Sequence, residues 1–165
     1  MALEIEVTRL CEFWSRVPDM EPLARRAIEA SCATAGILLL EGAEVGVQLA
    51  DDDRVRALNR QWRNVDTPTN VLSFPAFATT GLAISPMLGD IVLAYETVDR
   101  EAADEGKTFA DHAAHLIVHG FLHLIGFDHT TDAEAETMEN LETRILAAIG
   151  IANPYEVGGR TEPPR

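Results

Sequence analysis

The sequence predicts an α/β fold of the mixed, α+β kind: a single mixed β-sheet of about four strands packed with helices. Three observations carry this expectation. Segments with strand-like and helix-like apolar spacing alternate in the order β-α-β-α-β-β-α-α. Hydrophobic residues make up 47% of the 165 residues, enough for one sizeable core. No internal repeat, low-complexity tract or linker divides the chain, so a single domain is expected over residues 1–152.

Residues 3–8 alternate apolar and polar side chains, as a half-buried strand does. From Pro18 to about Ala35 the period is helical, with Leu23, Ala24, Ala27, Ile28 and Ser31 on one face and Gly36 as the stop. Residues 44–50 alternate again through Val45, Val47 and Leu49. Asp51, Asp52 and Asp53 supply an N-cap and first-turn acids for a helix reaching about Trp62. Residues 71–74 read as a third strand ended by Pro75, residues 76–88 as a loop, and residues 89–95 as a fourth strand. A helix or turn follows to about Glu105. Thr108 and Asp111 have the spacing of a capping box, with Asp in place of Glu, and open a helix to about Leu124 that Gly126 ends. A last helix runs from Asp132 to Ala148 and stops at Gly150. The tail from 153 to 165 holds three prolines and two glycines, so it is expected to be disordered.

Composition excludes some function classes. The longest apolar runs, 36–40 and 91–94, are far shorter than the ~18–20 residues that span a bilayer, so they are expected in the core and no membrane partner is expected. The first residues carry acids where a signal peptide carries a basic flank, so a cytoplasmic location is expected. Cys11 and Cys32 lie far apart, form no CxxC, and read as reduced thiols. A formal charge of -14 argues against nonspecific nucleic-acid binding, which rests largely on Lys and Arg. The charge is uneven, however. Arg54, Arg56, Arg60 and Arg63 fall together, whereas acids crowd residues 132–142, leaving room for a basic groove on an acidic body.

The chemistry concentrates in the histidines. All five lie between positions 112 and 129, and His115, His119 and His123 are spaced four apart. On a helix such residues share a face, with Cβ atoms roughly 6 Å apart. Two imidazoles there can reach one divalent ion at about 2.0–2.1 Å. Gly126 lets the chain return so that His129 supplies a third ligand. Three protein ligands leave a fourth position open, which is the catalytic rather than the structural arrangement. The metal expected is Zn2+, although three imidazoles also suit Ni2+, copper or iron. His115 is a second-shell group, an acid/base or an ordinary helix-face histidine. Asp128 orients an imidazole from the second shell or caps the turn.

The spacing is similar to the metzincin protease pattern HExxHxxGxxH, with Gly120 where that pattern has its glutamate base. A glycine accepts no proton, which argues against peptide hydrolysis by that route. His119-Gly-Phe-Leu-His123-Leu-Ile-Gly126-Phe-Asp-His129 resembles the signature of the YbeY family of bacterial endoribonucleases and rRNA maturation factors. The run from Arg63 through Asp66, Pro68, Thr69 and Asn70 to Pro75 resembles a second family signature, and Gly89-Asp90-Ile91 a third. An acidic segment with Glu134, Glu136, Met138, Glu139, Leu141 and Glu142 is also similar. The resemblance covers roughly residues 45–155.

The resemblance implies an α/β fold with a zinc-type site, and single-strand-directed RNA cleavage in small-subunit rRNA 3′-end maturation and ribosome quality control. It implies as partners rRNA, the small ribosomal subunit, a small-subunit ribosomal protein and a ribosome-assembly GTPase. It places the three ligands on His119, His123 and His129, and a functional arginine on Arg63, whose guanidinium suits a phosphate. Ser73 is a candidate substrate-side hydroxyl or an ordinary strand serine. Trp62 stacks on a base or fills the core. Two competing readings remain at this level: a metal-dependent protease or other hydrolase, and a non-enzymatic ribosome-assembly factor with structural zinc.

Overall fold

The computed structural model describes residues 3–37, 42–76, 87–157 and 160–161. The expected run of apolar residues 36–40 falls partly, and the expected loop 76–88 mostly, outside these. The chain order is β1 (Glu4–Arg9), α1 (Met20–Ala35), β2 (Glu44–Ala50), α2 (Asp52–Arg63), β3 (Val71–Pro75), β4 (Met87–Ala94), α3 (Tyr95–Glu105), α4 (Phe109–Leu124), α5 (Asp132–Ala148), β5 (Glu156–Val157) and β6 (Arg160–Thr161). The mixed α/β architecture is the one the sequence predicts. A 3-10 turn at Glu12–Arg16 and the short β5–β6 pair are additional to it.

The main sheet has the order β1-β2-β4-β3. β1, β2 and β4 run parallel, and β3 is antiparallel to β4 with Ser73 opposite Ile91. The alternation in β2 sends Val45, Val47 and Leu49 to one face, where Ile91 and Leu93 of β4 join them. Helices α1 and α4 close that face, and α5 packs on both. The opposite face is only partly closed: α2 covers Leu72, Val92 and Ala94 with Val55 and Leu58. From Ile91 to Ala94, β4 is therefore apolar on both faces, as a central strand between two layers must be.

The fourth strand begins at Met87, two residues before its expected start, and Tyr95 opens α3 instead of closing the strand. Neither Gly nor Pro separates Ala94 from Tyr95, so nothing local marks that boundary. Tyr95 leaves the sheet because its ring packs with Trp14 and Phe109, at centroid distances of 5.3 and 4.9 Å. Trp14 is fully buried and donates its indole N–H to Ala50 O at 2.8 Å, tying the 3-10 turn to the end of β2.

Among the described residues no helix is long and apolar enough to cross a membrane. Both cysteines are free thiols, and burial pushes that of Cys32 up to about 11.

Candidate metal centre

Helix α4 begins where the sequence places it, with Thr108 accepting the Asp111 N–H at 3.1 Å. Its apolar residues Leu116, Ile117, Phe121 and Leu124 enter the core, so the face bearing His115, His119 and His123 turns to the edge of the fold. At the C-terminus, Gly126 adopts φ 105°, a left-handed value that a side chain disfavours, and Phe127 N–H returns to Leu122 O at 2.9 Å. The connection ends at Thr131, which forms a full capping box with Glu134 at the start of α5. Fixed at both ends, this turn brings His129 back over the helix.

His119, His123 and His129 come together: one ring nitrogen from each lies within 4.8 Å of the other two. The Nε2 atoms of His119 and His123 approach to 3.1 Å. A tetrahedral ion with bonds of about 2.0–2.1 Å separates its ligand atoms by roughly 3.3 Å, so this pair fits a divalent ion closely. His129 is exposed, and its ring centroid lies 5.0 Å from that of His123 and 5.5 Å from that of His119. The donor set is three imidazoles. Burial, then the neighbouring His119 and His129, hold the His123 imidazole below the ordinary histidine range and favour the form that can bind a metal.

A carboxylate fixes one of these rings. Glu142, on α5, is 1% exposed, and its Oε2 accepts from His119 Nδ1 at 2.7 Å. That bond holds the proton on Nδ1 and leaves the Nε2 lone pair facing the cluster. Glu142 Oε1 meets His115 Nε2 at 2.8 Å and also accepts from the Tyr155 hydroxyl. His115 thus stands behind the three-histidine cluster, and its Nδ1 is buried without a hydrogen-bond partner among the described residues. Burial raises the Glu142 carboxyl, but the bonds from His115 and His119 outweigh it and hold the group down at about 2.

Glu142→Gln is expected to weaken metal binding ~10–100-fold, the usual effect of losing such a carboxylate. Competition with a chromogenic chelator measures this, and unchanged affinity would reduce Glu142 to a packing role. The depressed pKa has a second consequence. A carboxyl held below its ordinary 4.5 stabilises the fold fully above that pH and loses the contribution as pH falls toward about 2. Urea midpoints of the metal-free protein should therefore fall more steeply over this window than those of Glu142→Gln.

The other candidates fall on either side of this centre. Asp128 Oδ1 accepts the backbone N–H of His129 at 2.7 Å, which is the turn-capping contact. Ser73 Oγ donates to Gly120 O at 2.9 Å, joining β3 to α4. Gly120 itself faces the sheet. A Cβ there would lie 3.0 Å from both Ile91 Cγ2 and Ser73 Oγ, so the glutamate of the protease pattern would have to push these side chains aside and would point at the sheet. Arg63 Nη2 donates to Ser73 O at 3.1 Å, and its guanidinium lies 5.8 Å over the Phe74 ring. Trp62 does not fill the core. It is 65% exposed, at the end of α2 over a part of the sheet that no other helix of the described residues covers.

In the sequence Glu142 is one acid of a run. Its signal, a buried acid on the inward face of α5 beside Leu141 and Ile145, emerges once the helix is placed. Residues 153–157, counted with the tail, are described: Tyr155 reaches Glu142, and Glu156–Val157 pairs with Arg160–Thr161. Residues 158–159 and 162–165 of that tail lie outside the described residues.

Comparison with known proteins adds a family. The model of the family described as "Endoribonuclease YbeY" matches residues 14–150. A protein named Endoribonuclease YbeY from Methylocella silvestris is 49% identical over 152 residues, covering 92% of this chain and 85% of its own. One of that name from Rhodopseudomonas palustris strain BisA53 is 50% identical over 163 residues, covering 97% and 94%. Another from Bradyrhizobium diazoefficiens is 51% identical over 154 residues, covering 91% and 84%. Among solved structures, that of TM1509 from Thermotoga maritima has a TM-score of 0.54 at 21% identity, covering 88% of this chain and 91% of that one, a likeness of fold.

Proposed function

This chain belongs to the YbeY endoribonuclease family, and we propose that it is a zinc-dependent, single-strand-directed endoribonuclease of the cytoplasm. Its task on this reading is small-subunit rRNA 3′-end maturation and ribosome quality control. Its partners are the small subunit, one of its proteins and a ribosome-assembly GTPase. The observation that carries the reading is the convergence of His119, His123 and His129 beside the Arg63-bearing edge of the sheet, through the Ser73–Gly120 bond.

The roles follow from what each side chain touches. His119, His123 and His129 hold the ion. When bound, it supplies Lewis-acid polarisation of a phosphate oxygen and lowers the pKa of a water toward ~7. Arg63 binds the scissile phosphate. One of its donors is spent on Ser73 O, which with the Phe74 ring fixes the guanidinium plane, and the remaining N–H groups are left for phosphate oxygens. Ser73 keeps β3 and α4 in register at the site. Glu142 orients His119, and His115 and Tyr155 hold Glu142 in turn. Asp128 sets the turn that delivers His129.

The test is substrate choice. Zinc-loaded protein should cleave a labelled single-stranded rRNA 3′-end precursor, spare the same sequence in a duplex, and leave casein intact. Casein turnover without RNA cleavage would replace this reading with a protease.

A further inference from the structure

We infer that the groove between α2 and the open part of the sheet is a nucleobase subsite, in which Trp62 stacks on a base of the RNA whose phosphate Arg63 holds. This inference rests on the endoribonuclease reading and deepens it.

Arg54, Leu58 and Trp62 recur every four residues on α2, so they share one face. That face and the outer surface of the sheet enclose a groove of about 610 Å3, within the ~300–1,000 Å3 range of small-molecule sites. Trp62 stands at its rim, two-thirds exposed, whereas the other tryptophan, Trp14, is fully buried. Leu58 and Phe74 make the groove apolar where an aromatic ring would enter.

The polar groups are sorted by charge. Arg54 and Arg63 supply the cationic side, and no carboxylate of the described residues lies within ion-pair distance of either guanidinium. Arg56, by contrast, is paired with Asp66. Asp90, from β4, lines the same groove. It lies flat over Gly46 of β2, where a Cβ would meet its Oδ1 at 2.2 Å. An ionised carboxylate only accepts hydrogen bonds. It therefore suits the N–H groups of a base edge and repels phosphate toward the arginines. An aromatic platform beside a positive groove is the arrangement that binds single strands. The groove is also joined to the metal centre. Ser73, one of its lining residues, bonds to the carbonyl of Gly120, the residue after His119.

The test compares a short single-stranded RNA with an abasic ribose-phosphate oligomer of equal length, using zinc-loaded protein and stopped-flow mixing so that binding is read before cleavage. RNA should quench Trp62 fluorescence, and the abasic oligomer should not. Trp62→Ala should weaken RNA binding about tenfold, the loss of one base–aromatic stack. Trp62→Phe should recover most of it, and neither variant should change binding of the abasic oligomer. Equal losses on both oligomers, or RNA bound without quenching, would overturn the subsite. RNA that binds and quenches but is never cleaved would leave the subsite standing and remove the nuclease reading.

Discussion

His123→Ala is expected to lower RNA cleavage by roughly a thousandfold or more, the scale of the several kcal/mol that a catalytic ion supplies at about 1.36 kcal/mol per decade. The chain should stay folded. His123 is half-buried at the edge of α4, where its ring packs against those of His119 and His129. Alanine is also a better helix former than histidine. Circular dichroism, metal content and cleavage rate, measured on one preparation, separate the outcomes. A folded variant with little bound metal and no cleavage is the expected result. A folded variant that cleaves at the wild-type rate would mean that the cluster does not serve the reaction.

Arg63→Glu is expected to abolish cleavage while leaving metal content unchanged. Removing one preorganised donor from a site of developing charge costs about 10²–10³ in rate, and reversing the charge beside a phosphate costs more. Arg63→Lys should fall between the two, because an ammonium keeps the charge without the planar fork. The guanidinium contacts β3 and does not touch the histidines, so the ion should be retained. Loss of metal and cleavage together would show that Arg63 holds β3 in place and does not act on the substrate.

Much of this site is legible in the sequence because its parts are local. The four-residue spacing of His119 and His123 fixes a shared helix face, and Gly126 supplies the left-handed residue that returns His129. Glu142 is different. It lies 23 residues from the imidazole it orients, on another helix, in a segment where acids are common. Only the packing of α5 against α4 selects it. Gly120 reads as a missing base when set against a protease pattern, yet in the structure it lets α4 pack close to Ile91 and Ser73, whose hydroxyl donates to its carbonyl. Trp62 shows the limit of composition. Its exposure depends on how far α2 reaches across a sheet whose strand order, with β3 antiparallel at one edge, is not written in any single segment. The helix α3 was ambiguous for a related reason: Tyr95 continues the apolar run of β4, and its aromatic partners lie far away in the chain.

The most direct measurement is removal and return of the ion. Protein stripped by a chelator and dialysed should lose cleavage of a labelled single-stranded rRNA 3′-end precursor, and about one equivalent of zinc per chain should restore it in step with occupancy. His123→Ala carried through the same cycle should gain nothing. Cleavage that persists in the stripped wild type, with its metal content shown to be gone, would contradict a metal-dependent nuclease built on His119, His123 and His129.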